Sequence, residues 1–147
     1  MDDLLIMERN GECISKFKSE FMNEFEMTDL GLITHFLRIE FHKSKLGLLM
    51  HQRGYALEIL KRCEMEHCNA AISPAEPRLQ LSKNEDEEDV DQTQYRRLSG
   101  SLHHFCNTRP DLAFSVGIVT RFMEIPKMSH MAAVKRIMRY VKGSIGN

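Results

Sequence analysis

The sequence has no tryptophan, only four cysteines and four prolines, and no uninterrupted apolar run approaching 18 residues. A membrane-spanning helix needs roughly 20, so none is predicted. The opening Met1-Asp2-Asp3 is acidic and lacks the basic start and long apolar core of a secretory signal. An intracellular, reducing setting, cytoplasmic or nuclear rather than secreted, is therefore expected. In that setting Cys13, Cys63, Cys68 and Cys106 read as free thiols rather than a disulfide framework. Cys63-x₄-Cys68, with His67 between, lacks the second ligand pair of a zinc site. There is no phosphate-cradling glycine loop and no Ser/His/Asp hydrolase set. Nor does one sign of charge dominate. Twenty Lys and Arg against 21 Asp and Glu give a net −1, which excludes a bulk polycation. At 42% hydrophobic, the 147 residues are sufficient for a core, so wholesale disorder is excluded.

The even balance conceals a split. Residues 1–94 carry 11 basic and 19 acidic residues, whereas residues 95–147 carry 9 basic and 2 acidic. Such asymmetry fits an anionic partner for the C-terminal third, or simple attraction between the two parts.

Along the chain, Leu4-Leu5-Ile6-Met7 reads as a short buried strand. Ile14, Phe17, Phe21, Met22 and Phe25 make one helical stripe, ending near Thr28-Asp29-Leu30-Gly31. The period then drops to two. Leu37, Ile39 and Phe41, then Leu46, Leu48 and Met50, predict a β-hairpin linked at Ser44-Lys45 with one face on a core. A helix follows over Arg53–Glu66. Six acids between Asn84 and Asp91 mark residues 67–91 as an exposed, flexible acidic connector. Three helices complete the chain. Tyr95, Leu98, Leu102 and Phe105 lie on the first. The second follows Thr108, a candidate N-cap, and the third covers Ser129–Lys142 with Gly143 as C-cap. The ten methionines are expected to fill core space. The fold class is α+β: strand, helix, hairpin and helix in residues 1–66, the connector 67–91, and a helical region 92–147.

Asp2-Asp3 before an apolar run is a candidate for holding hard cations. Mg²⁺ takes oxygen ligands, often one or two carboxylates plus substrate phosphates, and two such ions can drive phosphoryl transfer. Alternatively, the pair is an exposed acidic terminus offset by the α-amino group. The basic candidates Arg96, Arg97, Arg109, Arg121, Lys135, Arg136, Arg139 and Lys142 fit contact with a phosphate backbone. Tyr95 and Tyr140 are candidates to pack on sugars or bases. The alternative is a solvated basic face paired with the acidic connector. His103, His104 and His130 read as surface or packing residues.

Several blocks in order resemble the reverse transcriptases of Ty1/copia-type retrotransposons. Asp2-Asp3-Leu4-Leu5-Ile6 resembles the end of the Tyr-x-Asp-Asp motif. Phe25-Glu26-Met27-Thr28-Asp29-Leu30-Gly31, His35-Phe36-Leu37-Arg38-Ile39-Glu40 and Gln52-Arg53-Gly54-Tyr55-Ala56 resemble successive later segments, and Ser73-Pro74 loosely matches a Thr-Pro connector. Tyr95-Arg96-Arg97-Leu98-Ser99-Gly100-Ser101-Leu102, Thr108-Arg109-Pro110-Asp111-Leu112, Arg121-Phe122-Met123 and Lys135-Arg136-Ile137-Met138-Arg139-Tyr140-Val141-Lys142-Gly143 resemble the downstream blocks. The resemblance covers essentially the whole chain.

It implies an RNA-directed DNA polymerase within a Pol polyprotein. Residues 1–66 would be a truncated palm and residues 92–147 a thumb or connection region. Asp2 and Asp3 would be the catalytic, metal-binding carboxylates, using Mg²⁺ or Mn²⁺ in the full-length enzyme. The partners implied are an RNA/DNA template–primer and the rest of the polyprotein, including fingers and RNase H. The sequence as given lacks the motif tyrosine, the upstream third aspartate, the fingers and an RNase H carboxylate set. Arg38 replaces a usual glycine, and Leu4–Met7 lacks its pairing strand. The isolated chain is therefore expected to be inactive. The other reading is a non-enzymatic remnant that binds nucleic acid weakly or packs against protein partners.

Overall fold

The computed structural model describes residues 4–78, 80–83 and 85–145. The chain divides into two compact units between Ile33 and Thr34.

The first unit is built on helix α1, Gly11–Glu24. The Asn10 side chain caps it by accepting from the Glu12 N–H at 3.0 Å. Ile14, Phe17 and Phe21 share the predicted face, and the Phe17 and Phe21 rings stack at 4.3 Å. The helix stops at Phe25, short of the predicted end. The physical reason lies at Asp29. Its carboxylate accepts from the Gly31 N–H at 2.9 Å and from Lys18, forming a local turn that competes with helix. Lys18 also holds the Asp29 carboxyl below its ordinary pKa. Leu4–Met7 is not the predicted strand. A strand needs a neighbour for its backbone groups, and among the described residues none pairs with it. Leu4 and Met7 are more than half exposed.

The second unit opens with a three-stranded antiparallel meander: β1 (His35–Phe36), β2 (Ile39–Ser44) and β3 (Gly47–His51). Pairing runs from Glu40 opposite His51 to Ser44 opposite Gly47, so the turn is Lys45-Leu46, one residue later than predicted. The β1–β2 link is Leu37-Arg38, with φ of +47° and +64°. Positive φ at both central residues is the type I′ requirement that normally selects Asn-Gly. Here two outside contacts hold the turn. Arg38 lies over the Tyr55 ring at 5.0 Å, and His104 Nε2 donates to the Leu37 carbonyl at 3.0 Å. The expected core-facing hairpin is largely exposed. Leu46, Leu48, Leu49 and Met50 all face solvent; α2 packs on β2, but burial stops halfway along that strand.

Helices α2 (Arg53–Arg62), α3 (Gln92–Phe105), α4 (Ala113–Thr120) and α5 (Met128–Ser144) follow, with a 3₁₀ turn at Pro110–Leu112. The Glu40 carboxylate accepts from the Gly54 N–H at 2.7 Å and so caps α2 from the sheet. Glu64, at φ +55°, ends α2 earlier than predicted, and the Met65 N–H bonds back to the Leu60 carbonyl. Tyr55, Ile59, Leu60, Tyr95, Leu98, Leu102, Phe105, Leu112, Val116, Val119, Val134, Ile137, Met138 and Val141 form one core. Each such side chain contributes roughly 1.5–3 kcal/mol. Of the nine methionines among the described residues, Met65, Met131 and Met138 are buried in it.

That core crosses the predicted boundaries. α2 and α3 both pack on α5, so residues 34–66 and 92–145 share one core. Thr108 does not cap a helix; its hydroxyl donates to Gln52 Oε1 at 2.7 Å. Gly143 is no C-cap either, since α5 continues through it to Ser144. Its role is close approach: a Cβ there would stand 3.0 Å from Ala70 Cβ.

Candidate nucleic-acid interface

Asp2 and Asp3 lie outside the described residues. Among the described residues, no group of three or more His, Cys, Asp or Glu side chains is placed to hold a metal ion. Two-metal phosphoryl transfer draws carboxylates from more than one element, and the described residues of this chain do not complete such a set. No helix of the described residues is long and apolar enough to cross a membrane. The four cysteines are free, and burial pushes the Cys63 and Cys106 thiols up.

The eight basic candidates fall into two sets. Arg97, Arg121 and Lys135 are exposed, and their side chains make no hydrogen bond or ion pair among the described residues. Arg96 is exposed and donates through Nε to the Met123 carbonyl at 3.2 Å, leaving the rest of its guanidinium free. The other four are engaged within the fold. Arg109 makes a two-pronged pair with Asp111, at 2.9 and 2.7 Å. It also donates to Ser144 Oγ at 2.6 Å and lies 5.5 Å from the Tyr140 ring centroid. The Arg109 guanidinium holds the Asp111 carboxyl below its ordinary pKa. Arg136 pairs with Glu76 at 2.9 Å and reaches Ser73 Oγ at 3.3 Å. Arg139 Nε donates to the Asn69 carbonyl at 2.7 Å, and Lys142 Nζ to the Cys68 carbonyl.

The contacts of Arg136, Arg139 and Lys142 come from the segment expected to be a flexible connector. Instead it straps α5. Glu87 accepts from the Ser129 backbone N–H at 2.9 Å and from its hydroxyl at 2.7 Å, at the start of α5. Lys127, 8% exposed, pairs with Asp89 at 2.7 Å and donates to the Glu87 carbonyl at 3.2 Å. Backbone bonds join Ala71 to Arg139, Val90 to Pro126 and Met128 to Glu88. His130 is wholly buried, stacked on Phe122 at 3.9 Å. Its Nδ1 accepts from the Lys127 N–H, so Nε2 carries the proton and donates to the Ser82 carbonyl at 2.9 Å. The charge split accounts for the ion pairs of Lys127 with Asp89 and of Arg136 with Glu76, whereas Arg139 and Lys142 bond neutral backbone carbonyls.

Tyr95 is fully buried and donates to the Val119 carbonyl at 2.7 Å, so it packs on no base. Tyr140 donates to Asp111 at 3.1 Å. Lys127, Gln52 and Glu87 escaped the sequence reading. Opposite charge was the only signal for Lys127 and Glu87; Gln52 stood in a resembling block but with no role assigned, and its amide bridges His104 and Thr108. A cavity of about 490 Å³ opens beside Gln52, Phe105, Thr108 and Arg109, but the side chains of Gln52, Thr108 and Arg109 already bond to other groups of the fold.

A family model described as reverse transcriptase (RNA-dependent DNA polymerase) matches residues 1–77. The retrovirus-related Pol polyprotein from transposon RE1 of Arabidopsis thaliana is 32% identical over 144 residues, covering 98% of this chain and 10% of that protein. The Pol polyprotein from transposon TNT 1-94 of Nicotiana tabacum is 32% identical over 156 residues, covering 100% of the chain and 12% of that protein. An uncharacterized mitochondrial protein of Arabidopsis thaliana is 30% identical over 145 residues, covering 99% and 60%. The chain thus spans about a tenth of the length of the two polyproteins. No solved structure matches it.

Proposed function

Since the chain belongs to the reverse transcriptase (RNA-dependent DNA polymerase) family, as a segment like those of Ty1/copia-type retrotransposon Pol polyproteins, we propose that it is the palm-to-thumb part of such a polymerase. Asp2 and Asp3 are then its paired catalytic carboxylates, ligands for Mg²⁺ or Mn²⁺ in the full-length enzyme. Residues 1–66 belong to the palm and residues 92–147 to the thumb or connection, joined through 67–91. The helical region grips the RNA/DNA template–primer, and the fingers and RNase H belong to the rest of the polyprotein. One observation carries the grip: Arg96, Arg97, Arg121 and Lys135 stand exposed with their charge uncompensated by any acidic side chain among the described residues. A thumb that slides along a duplex needs such sequence-independent, phosphate-directed donors.

The 147 residues alone do not polymerise DNA. Two adjacent carboxylates cannot position two ions and a nucleotide without converging ligands and preorganised donors from elsewhere. Primer extension with Mg²⁺ or Mn²⁺ tests this. No extension is expected from the isolated chain. Extension that disappears with Asp2→Ala plus Asp3→Ala would overturn the incompleteness argument while establishing the two aspartates.

A further inference from the structure

The donors of α5 are already arranged as a polyanion would want them, and the chain fills them itself. From Lys127 to Lys142 the helix rises about 22 Å. Along that length the strap runs antiparallel and offers oxygens to the donors on the side it covers, while Lys135 stays outside it. Asp89 meets Lys127, Glu87 meets the Ser129 amide and hydroxyl, and Glu76 meets Arg136. The Asn69 and Cys68 carbonyls meet Arg139 and Lys142. The N-terminal end of a helix favours an anion through its free N–H groups and dipole, and Glu87 supplies that anion. Arg and Lys side chains facing oxygens at hydrogen-bond distance reproduce the chemistry of a phosphate track.

We propose that the strap, through its contacts at residues 68–76 and 82–89, is a displaceable internal occupant of this track, competing with a nucleic-acid backbone for α5. The inference rests on the nucleic-acid reading above and adds its regulation. With the strap closed, only the outward donors contact phosphate. Opening it exposes Lys127, Arg136, Arg139 and Lys142 together. Its ion-paired stretches are suited to opening, while Cys68, Leu81 and Val90 pack on the core. None of the strap's described residues lies in a helix or strand, and its salt-bridging acids Glu76 and Asp89 are more than half exposed, where each ion pair contributes little.

The test compares two triple variants of the full chain with equal net charge. Glu76→Gln, Glu87→Gln and Asp89→Asn loosen the strap. Glu66→Gln, Glu85→Gln and Glu88→Gln remove three charges whose side chains make no described contact. Binding of a short RNA–DNA hybrid is measured by fluorescence anisotropy. The loosened variant should bind on the order of tenfold tighter than its charge-matched control. In the unaltered chain, hybrid should speed amide exchange at Ala71, Val90 and Met128, a readout independent of whether the variants fold. Measurable but equal binding by both variants, with exchange unchanged, overturns the competition and leaves the outward grip standing. Absence of binding by every form overturns the nucleic-acid reading, and the competition with it.

Discussion

Replacing Tyr95 with Phe gives a pH-dependent reversal of stability. At neutral pH the hydroxyl donates to the Val119 carbonyl at 2.7 Å in a fully buried position. Its removal costs about 1 kcal/mol, the net worth of a hydrogen bond, since that carbonyl still accepts from the Phe122 N–H at 3.2 Å. For a unit of this size the melting temperature should fall by about 4 °C. Alkaline pH reverses the order. Burial pushes the Tyr95 phenol up to about 12, whereas an unfolded tyrosine ionises near 10. Between these values the folded chain holds a proton that the unfolded chain has lost. The wild type therefore keeps its full stability below pH 10 and loses about 1.4 kcal/mol per pH unit through the window. Tyr95→Phe has no such loss, so the two curves cross between pH 10 and 12. Lysines titrate in both proteins and cancel in the difference. Urea-unfolding midpoints by circular dichroism at stepped pH measure it. Parallel curves across the whole range would refute the burial argument.

Three more outcomes follow from named contacts. Leu37→Asn should raise the melting temperature by a few degrees, because Leu37 is 68% exposed and held at φ +47°, a conformation that Asn tolerates and that costs other residues ~1–2 kcal/mol; a lower value refutes the strain. Gly143→Val should cost roughly 1–3 kcal/mol and speed exchange of the Ala71 N–H, since a Cβ there meets Ala70 at 3.0 Å; unchanged exchange contradicts it. Asp111→Asn should flatten the acid limb. The Arg109 guanidinium keeps the Asp111 carboxyl low, so its contribution is complete above about pH 4 and is lost as pH falls through the depressed value. The melting difference between wild type and variant should shrink below pH 4; a constant difference rules this out.

Much of the secondary structure was legible because periodicity is local. The stripes Ala56-Ile59-Leu60 and Leu98-Leu102-Phe105 lie in the core as expected, and so do Val134, Met138 and Val141. What failed depended on partners distant in sequence. Leu4–Met7 has strand composition but no described neighbour to pair with. Gly143 looks like a helix end, and only the approach of Ala70 gives it another role. The connector has a disordered composition, yet its oxygens meet α5 residues about 40 to 75 positions away. The resemblance named the family, but at the candidate interface it could not separate arginines that face outward from those already engaged. Arg109-Pro110-Asp111 is such a case, a resembling block that the structure uses to tie Asp111, Ser144 and Tyr140 together.

The central assignment, Asp2 and Asp3 as the catalytic pair of a polymerase, is tested most directly by reading the transcript upstream of the Met1 codon. Continuation of the frame with a tyrosine two residues before Asp2 and a further aspartate upstream is the predicted result. A stop codon or an unrelated sequence in that frame would contradict it, and would leave the helical, basic part as the place to look for function.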